Sequence, residues 1–425
     1  MLDLKRKYDE FLSETIFYGT HESGVRVYIM PKSGYKKKYA IFATKYGSVD
    51  TEFDIGSKHV KIPDGTAHFL EHKMFDMPDG SDAFAKFSKL GANANAFTSF
   101  ALTAYYFSAT ENFEKSLENL IEFVQTPCFT QKSIDKEQGI IGQEIKMYDD
   151  DPNWRVFFNA LDAMYKNNTV KIDIAGTCES IKTIDSTVLN DIYSVFYHPS
   201  NMILFVAGDV CEKEIADLIE SKLKKTEKIA PITRKYPTEQ NEINKSFIKQ
   251  KLSVAVPLFA IGFKDNETNI IGDEMIKKEI ETQILIGMLF SKSSPLYKKM
   301  YEASIINDSF GAQYSINERY SYTLIEGESK NAKAVYDNII DYIKDAKLSL
   351  EDYKAARNSV WGGFVKMFNS TEAVGYNFAI GILNGMDYFN YKPIFESVTF
   401  EDVKKRFEKH FTKENSVLSV VEGEE

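Results

Sequence analysis

This chain repeats itself, and a repeat constrains the fold more than any single motif. Gly91-Ala92-Asn93 opens a stretch rich in small, β-branched and aromatic residues that ends at Tyr105-Tyr106-Phe107. A helix-patterned segment, residues 112–121, follows it. Further on, Gly311-Ala312-Gln313 opens a second such stretch ending near Tyr322-Thr323-Leu324-Ile325, and residues 331–340 follow as its helix. The pattern predicts an α+β protein of two homologous domains, each an antiparallel-dominated sheet packed with helices. At about 150 residues per domain, 425 residues suit two or three domains. Between the halves, Lys and Glu dominate, Pro231 and Pro237 interrupt, and apolar periodicity fades. The expected boundaries are therefore a domain over residues 1–225, a linker over 226–245 and a homologous domain over 246–425.

Residues 25–29 alternate apolar and polar, the period of a half-buried strand, and residues 39–44 read as a second strand. Asp64 or Thr66 is placed to cap a helix running through residues 68–75. Residues 82–90 read as a short helix stopped by Gly91. Phe113, Leu117, Leu120, Ile121 and Val124 recur at spacings of three and four, so residues 111–125 form an amphipathic helix. Residues 133–148 read as another helix.

His68-Phe69-Leu70-Glu71-His72 carries the chemistry. On a helix, residues four apart lie on one face a turn apart. Two imidazoles so spaced can grip one metal ion, and Glu71 can reach a metal-bound water. Imidazole nitrogen with carboxylate oxygen favours zinc. Ala67, Phe69, Leu70, Met74 and Phe75 make this helix mostly buried, so its polar residues need partners. A catalytic zinc usually has three protein ligands. Glu137 and Glu144 lie seven residues apart, about two helical turns, and so share a face. One can bind metal while the other supports a histidine or a water. Spacing does not say which, and two ordinary surface carboxylates have the same pattern.

These residues resemble the pitrilysin–insulysin–mitochondrial processing peptidase family, whose inverted zincin motif is H-x-x-E-H. The resemblance implies His68, His72 and Glu144 as zinc ligands, Glu71 as general base and Glu137 as a supporting carboxylate. Asn95-Ala96-Phe97, continuing through Thr98-Ser99, is similar to the family's edge strand, which pairs with a substrate peptide as an added strand. Gly176-Thr177 with Ser180-Ile181, and Tyr197 to Met202 with Ala207-Gly208-Asp209, resemble further family segments. The likeness is strong over about residues 20–210 and architectural beyond. It is nearest the short, paired bacterial members, and it implies a zinc endopeptidase acting on peptides or unfolded segments. Two such domains make half of a clamshell chamber, which implies a homodimer or a heterodimer with a related subunit.

One departure stands out. Family members often hold the scissile carbonyl with an Arg and a Tyr on the strand after the second hairpin. The matching stretch, residues 321–329, has no Arg; Arg319 precedes it and Tyr322 lies within it. Both are carried as substrate-binding candidates. The missing Arg leaves a second reading, a partner-dependent or non-hydrolytic peptide-binding subunit. A structural zinc site normally has four ligands, usually with Cys, and none of Cys128, Cys178 and Cys211 lies near the motif.

Lys and Arg number 52 against 62 Asp and Glu, a net charge of −10. So acidic a chain is a poor general nucleic-acid binder. Three scattered cysteines give no disulfide framework and fit a reducing compartment. Cys178 and Cys211 read as small buried residues rather than nucleophiles. The N-terminus lacks a signal-peptide core, and no apolar run reaches about 18 residues. A cytoplasmic protein, not bound to membrane, is expected. His198 reads as structural, while His21, His59 and His410 have no partner at ligand spacing.

Overall fold

The computed structural model describes residues 2–423. The first half runs β1 (Lys5–Asp9), β2 (Glu14–Thr20), β3 (Arg26–Pro31), β4 (Lys38–Thr44), β5 (Glu52–Ile55) and β6 (Lys58–Lys61). Helices α1 (Thr66–Lys73) and α2 (Ala83–Leu90) lead to the hairpin of β7 (Asn93–Thr98) and β8 (Thr103–Ala109). Then come α3 (Phe113–Val124), α4 (Gln131–Asp150), α5 (Pro152–Met164), α6 (Cys178–Ile181) and α7 (Ser186–Phe196). This half closes with β9 (Met202–Gly208), α8 (Glu212–Lys222) and β10 (Ile232–Arg234). The second half runs β11 (Phe247–Lys251), β12 (Leu258–Lys264), α9 (Gly272–Phe290), α10 (Pro295–Glu302), β13 (Gly311–Ile316) and β14 (Ser321–Glu328). It ends with α11 (Ala332–Asp345), α12 (Leu350–Met367), α13 (Thr371–Leu383), α14 (Tyr391–Ser397), α15 (Phe400–His410) and β15 (Ser416–Glu422).

The repeat is real at the level of topology. Of the three sheets among the described residues, the largest has the order β1-β2-β3-β9-β4-β8-β7, the next β11-β15-β12-β14-β13, and the smallest β10-β5-β6; the two larger are counterparts. The last five strands of the first match the second position for position. In each of these two a single pair is parallel, β3 with β9 and β11 with β15, and every other pairing is antiparallel. This is the antiparallel-dominated, two-domain α+β fold that the repeat predicts.

Packing divides the chain into two units of three stretches each. The first comprises the stretch up to Ile145, Asp173–Tyr236 and Val365–Leu383; the second comprises Lys146–Ile172, Pro237–Phe364 and the stretch from Asn384. In the first unit, β4 and β9 are buried almost end to end, as befits central strands covered on both faces. The apolar stripe of α3 is wholly buried, each large side chain contributing about 1.5–3 kcal/mol. Residues 226–245, expected as a linker, carry β10, which pairs with β5. There the Arg234 guanidinium meets buried Asp50 at 3.0 Å and the Tyr236 hydroxyl donates to it at 2.7 Å.

Two equivalent helices cross between the halves. Helix α13, from the second half, packs on β4 and β9, while α5, from the first, packs on β12 and β15. A glycine permits each close approach. A Cβ on Gly375 of α13 would lie 2.4 Å from Tyr39 Cδ1, and one on Gly262 of β12 would lie 2.7 Å from Met164 Sδ. The Tyr39 ring is buried and has nowhere to retreat. Gly375→Val is therefore expected to cost about 1–3 kcal/mol, read as a lowered midpoint in thermal unfolding.

The second unit buries a charged cluster that the sequence reading did not anticipate. Asp265, just past β12, receives Lys278 Nζ at 2.9 Å, the Tyr314 hydroxyl at 2.7 Å and the Arg406 guanidinium. Arg406 also donates to Thr282 Oγ1 at 2.9 Å and pairs with Glu267 at 3.2 Å. His410, left without a role by the sequence, lies beside them with Nε2 on Thr323 Oγ1 at 2.7 Å. Burial opposes the charged Asp265 carboxylate, but the cations facing it outweigh burial and hold it well below the ordinary range. Burial, and then Arg406, pushes the His410 imidazole down to about 3. His410 is thus neutral in the fold, whereas the unfolded chain takes up its proton below the ordinary imidazole value of about 6.5. Stability is then full above that value and falls as the pH drops toward the folded pKa. Between pH 6.5 and about 4 the loss is expected to reach about 3 kcal/mol. Urea titrations at several pH values check it, and His410→Gln should flatten that slope.

Candidate metal centre

The site starts from how α1 begins. The turn into it runs through Gly65, at φ +87°, where no side chain caps the helix. This corrects the expectation that Asp64 or Thr66 would cap. Thr66 Oγ1 instead donates to the Pro63 carbonyl at 2.6 Å. The reason is steric: a Cβ on Gly65 would lie 2.4 Å from the Ala175 carbonyl oxygen. Gly176, at φ +75°, passes as closely to the Asp64 carbonyl, and Ser180 Oγ donates to that carbonyl at 2.8 Å. Thr177 and Ser180 form a reciprocal cap on α6. The Gly-Thr segment singled out in the sequence therefore clasps the start of the motif helix.

Helix α1 is buried as expected, with His68 9% and Glu71 8% exposed. The His68 and His72 rings lie 4.6 Å apart, centroid to centroid. Helix α4 presents Glu137 and Glu144 to them. Glu144 faces the Nε2 atoms of both histidines, at 3.8 Å from His68 and 3.6 Å from His72. Glu137 accepts from His72 Nδ1 at 3.0 Å. The geometry thus separates two carboxylates that spacing left interchangeable. Since His72 Nδ1–H donates to Glu137, its Nε2 lone pair points to the space shared with Glu144 and His68.

His68, His72 and Glu144 offer three donor atoms within 4.8 Å of one another. Ligands on a tetrahedral zinc with bonds of about 2.0–2.2 Å lie about 3.4 Å apart, close to the 3.8 and 3.6 Å that separate the Glu144 carboxylate from the two imidazole Nε2 atoms. The donor set of two imidazoles and one carboxylate suits zinc. The charge balance suits it too: Glu71, Glu137 and Glu144 converge here, with buried Lys73 as a nearby cation, 3.5 Å from Glu137. Burial, with His72 beside it, lowers the His68 pKa to about 4, so His68 is a neutral donor at neutral pH. For His72, burial opposes protonation, but the hydrogen bond to Glu137 and the charge of Glu144 outweigh it and raise the pKa. For Glu137, burial is overcome by His72 and Lys73, which lower it. Because Glu137 orients His72, Glu137→Gln is expected to weaken zinc binding about 10–100-fold without unfolding the chain. Competition with a chromophoric chelator measures this.

Glu71 stands beside the three donors. The Thr98 hydroxyl donates to its Oε2 at 2.5 Å. Burial raises the Glu71 pKa, and that hydrogen bond offsets part of the rise. Thr98 ends β7, the edge of its sheet, which carries Asn95, Ala96 and Phe97 and packs against α1. The Asn95 amide oxygen accepts the Ala96 N–H at 2.9 Å. Phe97 rests on Tyr376 of α13, with ring centroids 5.4 Å apart.

Arg319 and Tyr322 belong to the second unit and have partners of their own there. The Arg319 guanidinium donates to Asn269 Oδ1 at 2.8 Å and pairs with Glu318 at 2.9 Å. Tyr322 is buried against Tyr165 and Tyr320. His198 is structural, its ring held between Ser200 and the Glu227 carbonyl. Cys211 corrects another expectation: it is exposed rather than buried, at the start of α8. Lys73 went unread, as did the contacts of Thr98 with Glu71 and of Ser180 with the Asp64 carbonyl, since no local pattern pairs residues so far apart.

Residues 48–178, which include all five motif and Glu-pair residues, match the family described as Insulinase (Peptidase family M16). Residues 183–360 match the M16 inactive domain. The chain belongs to the M16 peptidase family. Among its relatives, the protein named "Uncharacterized zinc protease YmfH" of Bacillus subtilis is 41% identical over 401 residues, covering 93% of this chain and 94% of that one. The mitochondrial-processing peptidase subunit beta of Rattus norvegicus is 30% identical over 170 residues, 39% of this chain and 35% of that one. An M16-like peptidase from Alicyclobacillus acidocaldarius superposes with a TM-score of 0.93 at 32% identity, over 100% of this chain and 99% of that one. A Helicobacter pylori protease shares the fold, with a TM-score of 0.81 at 19% identity over 99% and 100% of the two chains. In this M16 chain the inactive-domain match agrees with the sequence, whose second half has no H-x-x-E-H. Among the described residues, no helix is long and apolar enough to cross a membrane.

Proposed function

We propose that this chain is a zinc-dependent endopeptidase that hydrolyses peptides or unfolded segments. The observation that carries this reading is the convergence of His68, His72 and Glu144 beside a buried Glu71. Bound zinc would supply Lewis acidity, acidifying water and polarising a peptide carbonyl. His68, His72 and Glu144 would hold it, and Glu137 would fix the His72 ring. Glu71 takes the proton of the attacking water and passes it to the leaving amine. Its raised pKa suits both tasks, because it lets the carboxylate hold a proton in transit. Thr98 holds one carboxylate oxygen and leaves the other for the water. The edge strand through Asn95, Ala96 and Phe97 aligns the substrate by adding it as a further strand.

The engaged state of Arg319 and Tyr322 favours a second element in the proposal: oxyanion stabilisation comes from a partner subunit. That a relative is named as a processing peptidase subunit supports a paired assembly, a homodimer or a heterodimer with a related chain. Zinc content and peptide cleavage, measured together on wild type and His72→Ala, test the reading. About one zinc per chain is expected in the wild type, lost in the variant together with cleavage. Zinc without cleavage would favour the partner-dependent subunit. A wild type that binds no zinc after metal reconstitution would overturn the peptidase assignment.

A further inference from the structure

Helix α1 ends in a lysine that its place in the helix does not explain. A cation in the last turn ordinarily complements the helix dipole from solvent. Lys73 is only 1% exposed, in a run whose Phe69, Leu70 and Met74 are buried too. A buried ammonium is costly unless it is paired. Lys73 Nζ pairs with Asp76 Oδ2, three residues on, and stands 3.5 Å from Glu137 Oε2. The two oxygens of Glu137 are thereby divided. Oε1 accepts from His72 Nδ1 at 3.0 Å, and Oε2 faces the ammonium. A carboxylate held at one oxygen can still swing about its terminal bond, where the torsion is broad. Held at both oxygens, it keeps its plane, and so does the imidazole bonded to it. His72 and Lys73 are consecutive, so the end of α1 grips one carboxylate of α4 at two points.

We propose that Lys73 is a positioning residue of the metal site: it pins Glu137, and through Glu137 it sets the direction of His72 Nε2. The inference rests on the zinc reading above. Two effects of the ammonium have opposite signs, which makes the role testable. By charge alone, Lys73 repels a divalent cation, so removing it would tighten zinc binding. By pinning, it supports the His72 ligand, so removing it weakens zinc binding. Pinning is the larger effect, because without Lys73 the Glu137 Oε2 atom loses its cation in a largely buried place and turns to find another partner. Loss of an outer partner of a zinc-bound histidine costs about 10–100-fold in affinity. Lys73 acts one contact further out, so about 3–10-fold is expected.

Zinc affinity, measured by chelator competition on the full-length wild type, Lys73→Met, Glu137→Gln and the double variant, tests this. Methionine fills the volume of the lysine stem and removes the charge. Lys73→Met is expected to bind zinc about 3–10-fold more weakly than wild type. The double variant should bind within about twofold of Glu137→Gln alone, because Lys73 then has no carboxylate to pin. Loaded with Co²⁺, the Lys73→Met chain should show a shifted visible absorption band, as Glu137→Gln does, since both let the His72 ring turn. Circular dichroism confirms folding, and Lys73→Gln runs the same cycle where Lys73→Met does not fold. Equal or tighter zinc binding by the folded Lys73 variant overturns the proposal. So do losses that multiply in the double variant, or a cobalt band unchanged by the Lys73 substitution. These outcomes leave the zinc reading standing, whereas a wild type that takes up no zinc overturns that reading and this inference with it.

Discussion

Glu71→Gln is expected to lower kcat by about 10²–10⁴-fold while zinc content stays at the wild-type level. Glutamine keeps the volume and can still accept the Thr98 hydroxyl, so the surrounding packing survives. It cannot accept a proton from water at any working pH. None of the three metal-facing donors is touched, since His68, His72 and Glu144 close around one another without Glu71. Metal analysis and peptide cleavage on the same preparation separate the outcomes. Cleavage within a few-fold of wild type would remove Glu71 from the mechanism. Loss of zinc would mean that Glu71 helps to build the site rather than acting beside it.

Arg406→Leu is expected to destabilise the protein by about 3–5 kcal/mol. The guanidinium is 3% exposed and faces Asp265, with further bonds to Thr282, Tyr314 and Glu267. Its removal leaves the buried Asp265 carboxylate with Lys278 as its remaining partner cation. Chemical denaturation gives the value directly. Adding Asp265→Asn to Arg406→Leu should recover part of the loss, because most of the single-variant cost is an unpaired buried charge. A change below about 1 kcal/mol in Arg406→Leu would show that water reaches the cluster and relieves it.

Much of the candidate metal centre was legible because its spacings are local. The H-x-x-E-H run places two imidazoles and a carboxylate on one helical face, and a seven-residue interval does the same for Glu137 and Glu144. The hairpin-and-helix repeat predicted the sheets, because turn glycines and strand alternation are written in consecutive residues. The capping of α1 was misread for the same reason in reverse. Gly65 is dictated by Ala175 and Gly176, which lie far along the chain. The exposure of Cys211 likewise depends on packing around α8 that no local pattern carries.

The sequence by itself determined which side chains share a face, because the periods of helix and strand follow from backbone geometry alone. It did not determine what each face meets. The apolar stripes of α5 and α13 specify burial but carry no address, and each lies on a sheet built largely from the other half of the chain. Only the tertiary structure turned Glu144 to the Nε2 atoms and Glu137 to Nδ1, set Thr98 against Glu71, and gathered Asp265, Arg406 and His410. Those pairings join residues brought together by the packing of whole elements. Hydrophobic burial is non-directional, so the partner is decided by which surfaces fit.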